Sequence, residues 1–196
     1  MSAEHSFATD IERFVALSET VHDHIAKVKL LVLDLDGVLT DGGLYYGPDG
    51  NVAKRFNVQD GLGIEIAQSS GLLRFAVITG MDKPAVAARI RDLRIDDYFP
   101  GITDKRETCE IVRKRYGLAV EEVAFMGDDW IDIPVMARVG VPLAVGNAQP
   151  ETKAAALYVT QAHGGNGAVR EAVRLILYCK GQLNNVFAAW MKRYET

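Results

Sequence analysis

The sequence predicts a three-layer, Rossmann-like α/β fold with a mostly parallel sheet, organised as a single domain over residues 1–196. Three observations carry this. Short apolar runs alternate with helical patterns along most of the chain. The first run, Leu30-Leu31-Val32-Leu33, does not alternate polar with apolar, as expected of a parallel strand covered on both faces. And the runs end in Asp34 and Asp36, in Thr79, and in Asp128 and Asp129, at the carboxyl edge where open α/β sheets collect their chemistry.

Taken in order, residues 1–27 carry Ile11, Phe14, Val15, Leu17, Val21 and Ile25 at near-helical spacing and predict an amphipathic helix extending the domain. His22 and His24 are two apart and share no helix face, so they read as surface residues and not as a zinc pair. After the first strand, Gly37 allows a sharp turn. Residues 39–56 then predict a small β-hairpin insertion, with Leu44-Tyr45-Tyr46 and Val52 to Phe56 flanking Gly47-Pro48-Asp49-Gly50-Asn51. It stands where a helix should follow the first strand, and it is too short to be a large cap domain. It is placed to cover the strand end or to meet a partner.

Asn57-Val58-Gln59-Asp60-Gly61 leads into a short helix ended by Gly71, which Asp60 can cap. Residues 72–78 predict the second strand and 83–93 a helix with Pro84 in its first turn. Residues 95–99 read as a connecting strand or turn. A helix over 105–116 ends at Gly117, and a third strand follows over 123–126. A helix over 131–139, a fourth strand over 141–145 and a short helix over 152–157 come next. Tyr158-Val159-Thr160, a glycine-rich loop at 164–167, a helix over 168–179 and a last amphipathic helix with Leu183, Val186, Phe187, Trp190 and Met191 complete the chain.

Apolar residues make up 48% of the chain, ample for a core, and the net charge of −4 gives no reason to expect nucleic-acid binding. Cys109 and Cys179 fall in helical patterns without metal-ligand spacing, so idle thiols in a reducing, cytoplasmic setting are expected. No apolar run approaches the ~20 residues of a membrane span, and no signal peptide is expected.

Strand ends thus deliver Asp34 and Asp36, then Thr79, then Lys105 on a helix, then Asp128 and Asp129 within Gly127-Asp128-Asp129-Trp130-Ile131-Asp132. This constellation resembles the haloacid-dehalogenase-like (HAD-like) phosphohydrolases, whose pattern is DxD, Ser/Thr, Lys, then GDxxxD or a close variant. The match narrows with Asp34 to Gly42, Phe56-Asn57-Val58-Gln59-Asp60-Gly61 and Gly164-Gly165-Asn166-Gly167-Ala168-Val169-Arg170-Glu171. These resemble the small capless sugar-acid phosphatases, typified by the 3-deoxy-D-manno-octulosonate 8-phosphate (Kdo 8-phosphate) phosphatase family. The resemblance covers about residues 29–180. It implies a homotetramer in which hairpins pack together.

Two carboxylates two residues apart repel unless a cation intervenes, and a hard, oxygen-seeking Mg²⁺ suits Asp34, Asp128 and the Asp36 carbonyl. Asp34 at the strand end is the expected nucleophile, and Asp36 the general acid and base. Lys105 and Thr79, with backbone amides near Asp36, Gly37 and Gly80, are placed to bind the phosphoryl oxygens. Asp129 and Asp132 are expected to hold metal-bound water or orient Lys105. Asp132 equally suits a first-turn helix carboxylate.

By resemblance, Arg89 matches a helix arginine that meets the sugar acid, and Met81 and Asp60 join it on the substrate side. Met81 stands where this family often has arginine. Related nonulosonate 9-phosphate phosphatases tend to carry Glu there, with Lys at the place of Asp92. A non-enzymatic phospho-receiver domain also gathers Asp, Thr and Lys at strand ends. The DxD spacing, the hairpin and the second Asp pair argue against it. A dinucleotide-binding domain is disfavoured, because Asp-x-Asp-Gly replaces the glycine fingerprint.

Overall fold

The structure, a computed structural model, describes residues 11–195. Six parallel strands form one sheet in the order β5-β4-β1-β6-β7-β8: β1 (Leu30–Leu33), β4 (Arg74–Ile78), β5 (Asp97–Phe99), β6 (Val123–Gly127), β7 (Val141–Ala144) and β8 (Tyr158–Val159). The strands β2 (Tyr45–Tyr46) and β3 (Val52–Ala53) form a separate antiparallel hairpin. A bridge between Thr40 and Phe56 closes its base.

Strand β1 is central because its residues are apolar on both faces. Leu31 and Leu33 enter one core with Ile64, Val77, Met126 and Val173, while Leu30 and Val32 enter the other with Ile78, Val112, Phe125 and Met136. Helices α3 (Val58–Ser69) and α8 (Ala168–Cys179) supply the first layer. Helices α5 (Lys105–Arg115) and α6 (Ile133–Met136) supply the second. Register aligns the strand ends: Leu33 pairs with Val77 on one side and Met126 on the other. Asp34, Thr79 and Asp128 therefore all emerge at the same edge. Among the described residues only the short hairpin interrupts this α/β plan, between β1 and α3, and there is no cap domain.

Several expectations change. The predicted helix over 1–27 is two pieces, α1 (residues 11–15) and α2 (Glu19–Ala26). The Ser18 hydroxyl accepts from Val21 N–H at 3.3 Å and so starts a new helix where periodicity alone would continue the old one. The part of that prediction before residue 11 lies outside the described residues. Segments 95–99 and 158–160 contain true edge strands, too short for a periodic signal and fixed by their neighbours. The helix expected over 131–139 is a 3₁₀ turn (Trp130–Asp132) followed by the single turn of α6.

His22 packs edge-on against Tyr178, and His24 is bonded to the Thr20 carbonyl. Cys109 and Cys179 are free and buried. Among the described residues no helix is long and apolar enough to cross a membrane.

Candidate active site

Asp34 continues β1, and its N–H donates to the Met126 carbonyl at 3.0 Å, which ties it to β6. It is buried. Lys105 approaches it from the first position of α5, a start fixed by Asp104, whose carboxylate caps the helix. The Lys105 side chain is entirely buried, with Nζ 2.5 Å from Asp34 Oδ1 and 2.6 Å from Asp132 Oδ1. The second Asp132 oxygen accepts the amides of Asp128 at 3.0 Å and Asp129 at 3.4 Å. Asp132 thus fixes both the lysine and the turn after β6.

Asp34, Asp128 and Asp132 each offer a carboxylate oxygen, all within 4.8 Å of one another. One lysine faces three acids, and the electrostatics reflect this. Burial, with the Asp132 charge adding to it, lifts Asp34 to about 6 against the pull of Lys105. Burial and the charges of Asp34, Asp132 and Asp129 push Asp128 to about 8. Burial would lower the Lys105 pKa, but its two carboxylate partners together outweigh that and raise it. This is an anionic pocket short of positive charge.

Gly37 has φ +91°, and a side chain there would overlap the Asp128 carboxylate. The glycine therefore serves both the turn and the close approach of Asp128. Thr79 is buried at the end of β4, and its hydroxyl accepts the Met81 N–H at 3.2 Å. Gly80 meets no such crowding; its nearest neighbour would be the Ile102 carbonyl at 4.0 Å.

Asp36 lies at the open side of the turn after β1. Its carboxylate turns toward the hairpin, where Oδ1 receives the Lys54 ammonium and, at 3.3 Å, the Thr40 hydroxyl. The third carboxylate beside Asp34 and Asp128 is Asp132, which leaves only the main-chain carbonyl of Asp36 for the metal role expected of it. Lys54 stands in no motif of the sequence, so only the folded hairpin reveals its partner. Asp129 is exposed and caps the Trp130 amide at 2.7 Å.

On the expected substrate side, Asp60 lies at the start of α8. It is buried, and its oxygens accept the amides of Gly167 at 3.2 Å and Arg170 at 2.8 Å, so it caps α8. Arg89 lies 6.0 Å over the Phe56 ring and reaches the Asn57 carbonyl at 3.4 Å, while its Nε is buried without a partner. Met81 is half-buried beside Thr79. Asp92 is exposed in a surface depression shared with Glu65, Gln68 and Arg94.

The glycine-rich loop at 164–167 lies flat on the turn after β1. Side chains on Gly164 or Gly165 would overlap the backbone of Gly37 or of Thr40 and Asp41, and Gly165 N–H donates to the Val38 carbonyl at 2.9 Å. Glu171 anchors the approach to this loop, accepting from Arg13, Tyr158 and the amides of Gln161 and Ala162. Glu171 closes the motif that begins at Gly164, but its type alone gives no sign of which donors it meets.

The chain is similar to known proteins. The haloacid dehalogenase-like hydrolase family profile matches residues 95–172. The 3-deoxy-D-manno-octulosonate 8-phosphate phosphatase of Escherichia coli K12 is 42% identical over 165 residues, 83% of this chain and 87% of that protein. The Haemophilus influenzae protein of the same name is 39% identical over 158 residues, 81% and 87% of the two chains. The structure of the Moraxella catarrhalis phosphatase in complex with magnesium ion, phosphate ion and Kdo superposes with a TM-score of 0.85 at 33% identity, covering 89% of this chain and 99% of that one. The chain therefore belongs to the haloacid dehalogenase-like hydrolases, in the family of the 3-deoxy-D-manno-octulosonate 8-phosphate phosphatases.

Proposed function

We propose that this chain is a Mg²⁺-dependent phosphatase that hydrolyses Kdo 8-phosphate to Kdo and phosphate through an aspartyl-phosphate on Asp34. The observation that carries this reading is the buried Lys105 held between Asp34 and Asp132, with Asp128 completing an acidic cluster at the sheet's carboxyl edge. The donor set is all oxygen and carries more negative than positive charge, which fits a hard divalent cation. Asp34, Asp128 and the Asp36 carbonyl would hold it, with Asp132 behind them. When bound, Mg²⁺ supplies positive charge that offsets the repulsion between phosphate and Asp34.

The chain's own groups account for the bonds made and broken. A carboxylate oxygen of Asp34 attacks phosphorus as the bond to the sugar oxygen breaks, and Asp36 gives that oxygen its proton. Water then attacks the aspartyl-phosphate, Asp36 takes the water proton, and cleavage of the bond to Asp34 releases inorganic phosphate. Lys105, the Thr79 hydroxyl and the amides of Gly37 and Gly80 stabilise the phosphoryl oxygens. Arg89 pairs with the sugar carboxylate.

The whole chain is read as one phosphatase domain bearing the hairpin, and as cytoplasmic, in keeping with two free, buried cysteines. Without a cap, a neighbouring copy is needed to shield the site. The hairpin exposes Leu44, Tyr45 and Tyr46, the last at 70%, which supports a homotetramer assembled through it. Phosphate release from a panel of phosphorylated sugar acids tests the reading. Kdo 8-phosphate is expected to give the highest kcat/KM, and a non-acidic sugar phosphate outperforming every acid would overturn the substrate assignment.

A further inference from the structure

The hairpin insertion holds a charge that the reaction as described does not use. The Lys54 side chain is 0% exposed, although it belongs to a short ribbon at the surface, and its ammonium meets Asp36 Oδ1. An ammonium removed from water is costly unless it is paired, so burial there commits the lysine to that carboxylate. The hairpin base enforces the placement. Thr40 pairs with Phe56, so Lys54, two residues away, lies on the same side as Phe56. Arg55 points the other way and donates to the Gly165 carbonyl at 3.2 Å and Asn166 Oδ1 at 3.0 Å. Thr40 contributes a second contact, its hydroxyl lying 3.3 Å from the same Asp36 oxygen. Two residues of the hairpin base thus meet the same Asp36 oxygen. The Asp36 side chain is otherwise 32% exposed at the mouth of the site.

We propose that Lys54 is the positioning residue of the acid/base group: it holds the Asp36 carboxyl in the orientation from which it serves the leaving group, and so links the hairpin to proton transfer. The inference rests on the reading of Asp36 as the acid. It predicts a dependence on leaving group, because a free Asp36 harms only those substrates whose leaving oxygen needs a proton. A purely structural lysine would lower turnover of all substrates alike.

The test uses the full chain with Mg²⁺ and a series of phosphate monoesters, from 2,4-dinitrophenyl phosphate through phenyl phosphate to an alkyl phosphate. The quantity read is kcat/KM, which reports the first phosphoryl transfer. Lys54→Met is expected to lose about 100-fold on the alkyl phosphate but under about threefold on the dinitrophenyl ester, within the range that general acid catalysis supplies. Lys54→Arg, which keeps the charge, is expected to recover most of the loss. Asp36→Asn serves as the reference and should show the same pattern more steeply. If Asp36→Asn is steep while Lys54→Met falls equally on every ester, or falls on none, Lys54 has no positioning role. If both lysine variants lose the dinitrophenyl activity as well, the residue is structural and the proposal is overturned. A flat response of Asp36→Asn removes the acid role itself, and the positioning of it with that role. Retained dinitrophenyl activity reports a folded site in each variant.

Discussion

The turn after β1 puts two aspartates in two different environments. Asp34 is buried against Lys105 and Asp132 in a corner made by β1, β6 and α5. Asp36, two residues on, sits at the open side with Lys54 and Thr40 of the hairpin base. One residue type, from one motif, is fixed once by the sheet and once by an insertion. The buried corner is over-determined: Asp132 holds Lys105 and two backbone amides at the same time. The hairpin corner depends on a lysine and a threonine carried by a two-stranded ribbon, which is marginal by itself. The proposed nucleophile, which the reaction needs immobile, lies in the first. The group proposed to exchange protons with leaving group and water lies in the second.

The largest effect that would break this contrast is expected from Asp34→Asn. Loss of the nucleophile should cost about a thousandfold or more in kcat with the fold intact. Retention of a tenth of the activity, measured as phosphate release, would move the nucleophile elsewhere. Lys105→Met comes next. It leaves buried carboxylates without their cation, so a stability loss of about 3–5 kcal/mol is expected in denaturant melts, together with loss of activity. A melt unchanged from the parent chain would show that the corner is not held by this ion pair.

The metal sharpens the comparison through pH. Asp34 is lifted to about 6 and Asp128 to about 8 from an ordinary 3.8. A carboxylate with a raised folded pKa binds its proton more tightly folded than unfolded. Its stability contribution is present below the unfolded value and is lost as pH rises through the folded one. In excess chelator, Tm should therefore fall across the window from about pH 4 to about pH 8. Mg²⁺ should raise Tm more at the alkaline end, where its ligands are already ionised. Calorimetric scans with chelator and with Mg²⁺ read both, and a Mg²⁺ effect greater at the acid end contradicts this account. Chelation should also stop phosphate release, and Asp128→Ala should raise the Mg²⁺ requirement or abolish activity.

The smallest effect is expected at Met81, half-buried beside Thr79. Methionine offers the sugar carboxylate no charge, whereas arginine can pair with it. Met81→Arg should raise kcat/KM for Kdo 8-phosphate by about tenfold, or ~1.4 kcal/mol, with little change for para-nitrophenyl phosphate. A decrease on every sugar acid tested would show a pocket built for a less anionic substrate.

Sequence alone determined the central strand, the edge at which Asp34, Thr79 and Asp128 appear, and the hairpin after the first turn. These are local matters: a run apolar on both faces, a turn glycine, a Gly-Pro-Asp-Gly-Asn loop. Tertiary structure decided the partners. Asp132 joined Asp34 and Asp128, Lys54 took Asp36, and Asp60 capped a helix that begins more than a hundred residues later. The edge strands Asp97–Phe99 and Tyr158–Val159 also exist only because β4 and β7 present open hydrogen-bonding edges to them. The reason is physical: periodicity and turn chemistry are written within a few residues, whereas a buried charge chooses whichever opposite charge or amide the finished packing brings within hydrogen-bonding reach.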